Sequence, residues 1–277
     1  MRRALQTRQT AGDAATGKGH AVARRDRQFV TGLSRGLKLL EAFRPGDEFV
    51  TNAELARRTG LPRPTITRLA HTLCELGYLG RGDDRRGYRL HPHVLSLGQP
   101  ILVKLRIRQI ARPLMQQLAD ESRFSIALGV RDGLDMIFIE RTRVSTTPSL
   151  AQDIGSRVPI AITSMGRAYL AGLRRRERES LWEQLSRVGS KENWIKTRAA
   201  IDRELERYRT HGYCFGLGEW KAHTCGVSVP VVLRDGSVLS MNCGGMCTHM
   251  TGKRLDEMGE RLKAMAKQIL SSQGADW

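Results

Sequence analysis

The sequence predicts an α+β protein in two parts, an N-terminal winged helix-turn-helix followed by a separate, larger domain of mixed strands and helices. Three observations predict it. Between residues 33 and 77, three stretches of helical periodicity are separated by tight breaks. Two strand-like runs around a polar turn follow at once. Beyond residue 121 strands and helices are interspersed, and two of the turns carry Asp-Gly. The chain has 277 residues, 40% of them hydrophobic, enough for a buried core in each of two domains and too many for a wholly disordered protein.

In the first part, Leu33, Leu37, Leu40 and Phe43 recur at spacings of three and four, and Pro45-Gly46 closes that helix. Thr51 and Glu54 have the spacing of a capping box. The short helix they open carries Ala53, Leu55 and Ala56 and stops at Gly60. Leu61-Pro62-Arg63-Pro64 forces a break, because a proline supplies no amide hydrogen. A first helical turn accepts proline, so a third helix begins around Pro64. It carries Ile66, Leu69, Ala70, Leu73 and Leu76 on a buried stripe and ends at Gly77. Gly77–Arg81 and Gly87–Leu90 then read as strands framing Gly82–Arg86, the hairpin of a wing.

The third helix exposes Thr67, Arg68, His71 and Glu75 opposite its apolar stripe, with Arg63 and Thr65 at its N-terminal end. Arginine can grip a guanine edge bidentately, while threonine and the amides of a helix N-terminus suit phosphate. Glu75 is unfavourable near phosphate and belongs beyond the contact region. Arg35, Thr51 and the turn residues Arg85 and Arg86 complete the candidate DNA-facing set. The formal net charge of +18 agrees with a polyanionic partner but does not prove one. Its density is highest in residues 1–27, where seven basic and two acidic residues accompany almost no apolar periodicity. That segment reads as a disordered basic arm, either simply solvated or adding phosphate contacts.

In the second part, residues 101–121 form one or two helices leading out of the wing, with Pro113 at a first turn or a kink. Ser125–Val130 and Met136–Glu140 read as strands about the turn Arg131–Leu134, and a further strand candidate spans 147–151. A helix opens near Thr163, and charged amphipathic helices cover 175–187 and 197–211. Val227–Leu233 and Ser237–Cys243 make a β-pair around Arg234-Asp235-Gly236. The last helix puts Leu255, Met258, Leu262, Met265 and Ile269 on one face, which reads as core packing.

Five cysteines at irregular spacing argue against a disulfide framework, and no apolar run approaches the length of a membrane helix. The N-terminus also lacks the apolar core of a secretory signal, so a soluble cytoplasmic protein is expected. Cys243, Cys247 and His249, with His223 and Cys225, raise two other readings, a metal site and a cysteine-dependent hydrolase. Paired CxxC spacing and a nucleophile motif are both missing from the sequence, so no metal, cofactor or enzymatic activity is expected. A winged helix that serves a sensor or adaptor through protein contacts stays a further alternative.

Residues 29–98 resemble the DNA-binding domain of the IclR family of bacterial transcription regulators. The matching stretches are Gly32–Leu37, Glu54-Leu55-Ala56, Gly60–Thr65, Arg68-Leu69, Leu73, Gly77-Tyr78 and Tyr88-Arg89-Leu90; Leu95–Gly98 is similar to the family's exit into a linker helix. The second part resembles the family's effector-binding domain in Val158-Pro159, Ala161–Ala168, Leu170-Ala171, Gly212-Tyr213, Glu219, Pro230 and Asp235-Gly236. Thr163–Arg167 and Asn242 look most like the subgroup controlling aromatic-acid catabolism, the β-ketoadipate, hydroxybenzoate and hydroxyphenylpropionate regulators.

Beyond the arm (1–27) read from composition, the resemblance implies a winged helix-turn-helix DNA-binding domain (28–92), a linker helix (93–106) and a GAF-like effector-binding domain (107–277). By position, the family's pocket residues fall on Leu150, Val158, Ser164, Met165, Gly216, Gly226, Cys243 and Gly245. The acidic residue common in the family at the position of Gly216 is absent, as is the glycine at that of His223. A helix opening at Thr163-Ser164 presents unpaired amides and a positive dipole end, a seat for a carboxylate. The expected function is a ligand-responsive regulator of a catabolic operon, sensing a small, aromatic carboxylic acid. As a homodimer or homotetramer it would set recognition helices in successive major grooves of a palindromic double-stranded operator.

Overall fold

A computed structural model of the chain describes residues 28–82, 87–104, 106–142 and 153–272. The chain divides into two compact units, residues 1–104 and 105–277.

In the first unit, helices α1 (Thr31–Glu41), α2 (Asn52–Thr59) and α3 (Arg63–Glu75) precede a hairpin of β1 (Leu79–Arg81) and β2 (Tyr88–Leu90). Thr51 Oγ1 accepts the Glu54 amide at 3.2 Å, one half of the expected capping box. The Glu54 carboxylate does not return to Thr51; it accepts from Arg57 and Arg58. Gly60, at φ 70°, ends α2 in the left-handed region. Pro62 caps α3, and Pro64 lies in its first turn. Leu39, Val50, Leu55, Ile66, Ala70 and Leu79 form the core. Two expectations are corrected by exposure. Leu76, at the C-cap of α3, is 58% exposed and does not extend the buried stripe. Leu33 and Leu37 are exposed also, while Leu39 is the fully buried residue of α1. Arg58, its side chain only 12% exposed, clamps the unit by donating to the Ala42 carbonyl, Asp47 and Glu54. A 3₁₀ turn (Pro92–Val94) leads into α4 (Leu95–Lys104), which contains Pro100.

The second unit is built on a six-stranded antiparallel sheet. Its strands are β3 (Ser125–Asp132), β4 (Asp135–Arg141), β5 (Arg157–Pro159), β6 (Cys214–Leu217), β7 (Thr224–Val232) and β8 (Val238–Met246), in the order β5-β4-β3-β8-β7-β6. Side chains alternate across it. Ile126, Leu128, Val227, Val229, Leu239, Met241 and Cys243 pack with α5 (Ile107–Ser122) and α9 (Gly252–Ser272). On the opposite face Ala127, Met136 and Phe138 pack with α6 (Ser164–Gly172), α7 (Arg175–Ser186) and α8 (Lys191–His211). Pro113 lies inside α5, not in its first turn. Helix α8 begins earlier than its apolar pattern suggests, because Ser190 Oγ accepts the Asn193 amide and caps it. The strand candidate at 147–151 lies outside the described residues.

The expectation of unpaired cysteines is corrected at one place. Cys225 and Cys247 form a disulfide. The antiparallel register sets Cys225 against Gly245, which leaves Cys247 one diagonal step away. Cys74, Cys214 and Cys243 are free thiols.

Candidate functional site

On the first unit, Arg63, Thr67, Arg68 and His71 are all exposed on α3, with Thr65 half-buried at its start. The Thr67 hydroxyl donates to the Arg63 carbonyl at 3.1 Å and accepts from Asn52 Nδ2 at 2.7 Å. Asn52, a residue that periodicity alone does not single out, thus brings the start of α2, with the exposed Thr51, beside the exposed face of α3. His71 lies 3.6 Å from Glu75, which tempers the positive charge toward the far end of the helix. Arg35 is exposed on α1, and Arg89 on β2 stacks over Phe49 at 5.5 Å. Arg85 and Arg86 lie outside the described residues. The arrangement is an exposed helix with a basic, hydroxyl-rich N-terminal half, of a size that a major groove accepts.

On the second unit, the strands and α6 line a cavity of about 70 Å³, partly open to solvent. Phe138, Val158, Ile162, Met165 and Trp220 give it apolar walls, and Ser164, Glu219, Thr224 and Asn242 supply polar groups. Gly216, Gly226 and Gly244 sit opposite one another on three neighbouring strands and make a side-chain-free floor. The helix end presses close upon it. A Cβ at Gly216 would lie 2.8 Å from the Ser164 backbone nitrogen, and one at Gly226 would lie 3.0 Å from both Ser164 Oγ and Asn242 Nδ2. Glycine is needed at 216 for close approach, since a side chain there would push the helix end away, whereas at 226 it would crowd the Ser164 and Asn242 side chains.

Polar contacts fix that end of α6. Thr163 Oγ1 caps it by accepting the Gly166 amide at 3.2 Å. Ser164 Oγ accepts from Ser228 Oγ at 2.9 Å and from Asn242 Nδ2 at 3.0 Å. One turn on, Arg167 is 2% exposed and donates to the Phe215 carbonyl and to Glu219 Oε1, at 2.9 and 2.8 Å. Glu219 Oε2 accepts the Leu217 amide. Burial pushes the Glu219 carboxyl up, but the Arg167 guanidinium and the backbone donors more than offset this and hold it below the ordinary carboxylate value.

Val158, Ser164, Met165, Gly216 and Gly226 are therefore brought together around the cavity. Cys243 and Gly245 are not. They lie on the opposite sheet face, Cys243 fully buried in the α5/α9 core and Gly245 with Phe124 where its Cβ would be. The expectation was off by one residue along β8, whose cavity-facing members are Asn242 and Gly244. Leu150 lies outside the described residues. Glu219 and Trp220, on the connection after β6, were not foreseen as cavity residues; their signal was the Gly218 turn, at φ 86°, next to a glycine strand. A cysteine nucleophile finds no support: burial pushes the Cys243 thiol up to about 12, and Cys225 is tied to Cys247.

Residues 32–83 match the IclR helix-turn-helix domain and residues 99–271 the C-terminal domain of the bacterial IclR transcriptional regulators. The HTH-type transcriptional regulator TsaQ1/TsaQ2 of Comamonas testosteroni is 31% identical over 247 residues, covering 87% of each chain. The Pca regulon regulatory protein of Pseudomonas putida is also 31% identical, over 78% of this chain and 74% of its own. An IclR family regulator from Brucella abortus superposes with a TM-score of 0.73 at 38% identity, over 91% of this chain and 96% of that one. A homologue from Microbacterium hydrocarbonoxydans, solved with 4-hydroxybenzoate, superposes with a TM-score of 0.72 at 25% identity, over 89% of this chain and all of that one. Together with the winged helix and the second unit's six-stranded sheet, these matches establish that the chain belongs to the IclR family of DNA-binding transcriptional regulators and is not an enzyme.

Proposed function

We propose that this regulator senses a small aromatic carboxylic acid and controls a catabolic operon by binding a palindromic operator in the cytoplasm. The observation that carries the reading is the cavity, where apolar walls suited to a ring meet the start of α6 across a glycine floor. There the Ser164 and Met165 amides of the first turn, together with the helix dipole, favour a carboxylate. The Microbacterium homologue's 4-hydroxybenzoate complex and a relative from Acinetobacter baylyi, the p-hydroxybenzoate hydroxylase transcriptional activator, favour the same class.

In this reading residues 28–92 bind DNA, 93–106 link, and 107–277 hold the ligand. Arg63, Arg68 and His71 meet bases or phosphates, and Arg35, Thr51, Thr65, Thr67, Arg85 and Arg86 meet the backbone, with the basic arm 1–27 adding salt-dependent affinity. Apolar residues left outside favour self-association in this reading: Leu33 and Leu37 on α1, and Leu95, Leu97 and Ile101 on α4, are 48–76% exposed. Ligand acts by binding two conformations unequally.

The test is fluorescence anisotropy on the DNA upstream of the protein's own gene, with benzoates, phenylpropionates and short aliphatic acids added in turn, alongside sedimentation of the free protein. A change of operator occupancy with an aromatic acid, and a dimer or tetramer in solution, is the expected result. Response to a neutral ligand alone would overturn the acid reading.

A further inference from the structure

The acid that the family commonly carries at the position of Gly216 is missing, yet the cavity does not lack a carboxylate. Three residues on, Glu219 lines it beside Trp220, on the connection that returns from β6 to β7. Its position is fixed at both oxygens, Oε1 by the buried Arg167 and Oε2 by the Leu217 amide. A carboxylate offers about four lone-pair sites, so with Arg167, the Leu217 amide and its own amide as donors one remains. Its side chain is 36% exposed, and part of that surface faces the cavity. Glu219 is thus a pre-positioned acceptor with negative charge and no proton to give.

We propose that Glu219 is a specificity-determining residue of the cavity: it accepts a hydrogen bond from a hydroxyl or amine on the ligand and rejects a second carboxylate there. The ligand class that follows is an aromatic monocarboxylate bearing a hydrogen-bond donor on its ring, and aromatic dicarboxylates are excluded. This deepens the acid-sensing reading and rests on it for the ligand's other end. Charge sign is the basis of the exclusion. A ligand carboxylate beside an ionised Glu219 would either repel it in a partly desolvated site or compete with it for Arg167. A ring hydroxyl instead gains a charge-assisted bond at a site already aligned to receive it.

The experiment is calorimetry at neutral pH on the full-length oligomer. The probes are benzoate, the 3- and 4-hydroxy- and aminobenzoates, the matching phthalates (isophthalate and terephthalate), and the corresponding hydroxybenzamides. At least one hydroxy- or aminobenzoate is expected to bind roughly tenfold or more tighter than benzoate, and the phthalate of the same geometry at least tenfold weaker. Glu219→Gln should erase most of both differences. That variant leaves Arg167 unpaired, so the double variant Arg167→Met/Glu219→Gln, which removes both charges, is the second arm and should lose the preference in the same way. A wild-type protein that binds terephthalate or isophthalate as tightly as the hydroxy acid overturns the proposal. So do variants that fold and keep the wild-type order within about twofold. The hydroxybenzamides separate this proposal from the reading beneath it. If they bind in a Glu219-dependent way while no acid binds, the carboxylate end is wrong and the Glu219 assignment stands. If neither acid nor amide binds, both fall.

Discussion

The reading face of α3 and the cavity of the second unit are constructed by opposite rules. On α3 the proposed contacts are a matter of what projects: Arg63, Thr67 and Arg68 stand outside a helix whose other side, Ile66 and Ala70, is fully buried. In the cavity the proposed ligand site is a matter of what is withheld: Gly216, Gly226 and Gly244 leave room for the start of α6. The first surface tolerates substitution structurally and loses only its contact. The second couples contact to packing, so a single methyl group there moves a backbone. Two further features sharpen the contrast, because each unit is held by a distinct long-range tie, the Arg58 clamp in one and the Cys225–Cys247 disulfide in the other.

The disulfide gives the largest expected effect. With a sequence separation of 22 residues, its closure constrains the unfolded chain by about 3 kcal/mol in the chain-entropy account. Reduction, or Cys247→Ser, should lower the melting transition of the second unit while that of the winged helix stays put. Calorimetric scans with and without reductant measure this, and a coincident fall of both transitions would show that the two units unfold as one. Next comes Gly216→Val. Its Cβ would stand 2.8 Å from the Ser164 amide nitrogen, so the helix end must move. Effector affinity should fall by about a hundredfold, the scale of a well-packed site forced to overpack. Operator affinity without effector should change by less than about twofold, since α3 is in the other unit. Equal losses on both ligands would dissolve the contrast between the regions.

The asymmetry between the two constructions also explains what the sequence let one read. The α3 face is local: apolar and polar residues sort at spacings of three and four, and Arg63, Thr67, Arg68 and His71 all fall on exposed positions. The Arg58 clamp reaches back 11 residues to Asp47 and 16 to Ala42, and no periodicity announces that. In the second unit Val158, Ser164 and Met165 lie close in sequence, whereas the floor is assembled by register across β6, β7 and β8. The parity of β8 was legible: Leu239, Met241 and Cys243 alternate with Ser240, Asn242 and Gly244, and the polar set faces α6. A positional match carried from relatives placed Cys243 and Gly245 there instead. The disulfide follows from the same register, mirrored about the Arg234-Asp235-Gly236 turn, and linear cysteine spacing hides it.

The clamp of the first unit predicts an intermediate effect. Arg58→Met removes donors from Ala42, Asp47 and Glu54 at a largely buried position and should cost about 2 kcal/mol, seen in the winged-helix transition alone. Acid should imitate it. Hydrogen bonds from Arg57 and Arg58 lower the Glu54 carboxyl to about 2, and the Arg58 bond lowers that of Asp47. Because these folded-state values lie below the unfolded ones, the stability they carry is present in full above about pH 4.5 and is lost as pH falls toward 2. Arg58→Met should flatten that slope in urea melts taken between those limits. An unchanged slope would place the acid sensitivity elsewhere.

The smallest expected effect tests the projecting face directly. Arg68 is exposed on α3 and lies off the stripe formed by Ile66 and Ala70, so Arg68→Ala should leave the melting profile of the winged helix unchanged. Loss of one bidentate guanine contact is worth about 1–3 kcal/mol, or about fivefold to 150-fold in operator affinity. Base readout and phosphate contact are told apart by the competitor. If Arg68 reads a base, specific binding weakens while affinity for random DNA and the salt slope barely move. A phosphate contact instead weakens both and lowers the slope by about one ion. Removing residues 1–27 provides the matching control, since an electrostatic arm should lower affinity for every sequence and flatten the slope further. An Arg68→Ala protein with the parent's operator affinity would take this residue out of the reading face and shift the specificity of α3 onto Arg63 and Thr67.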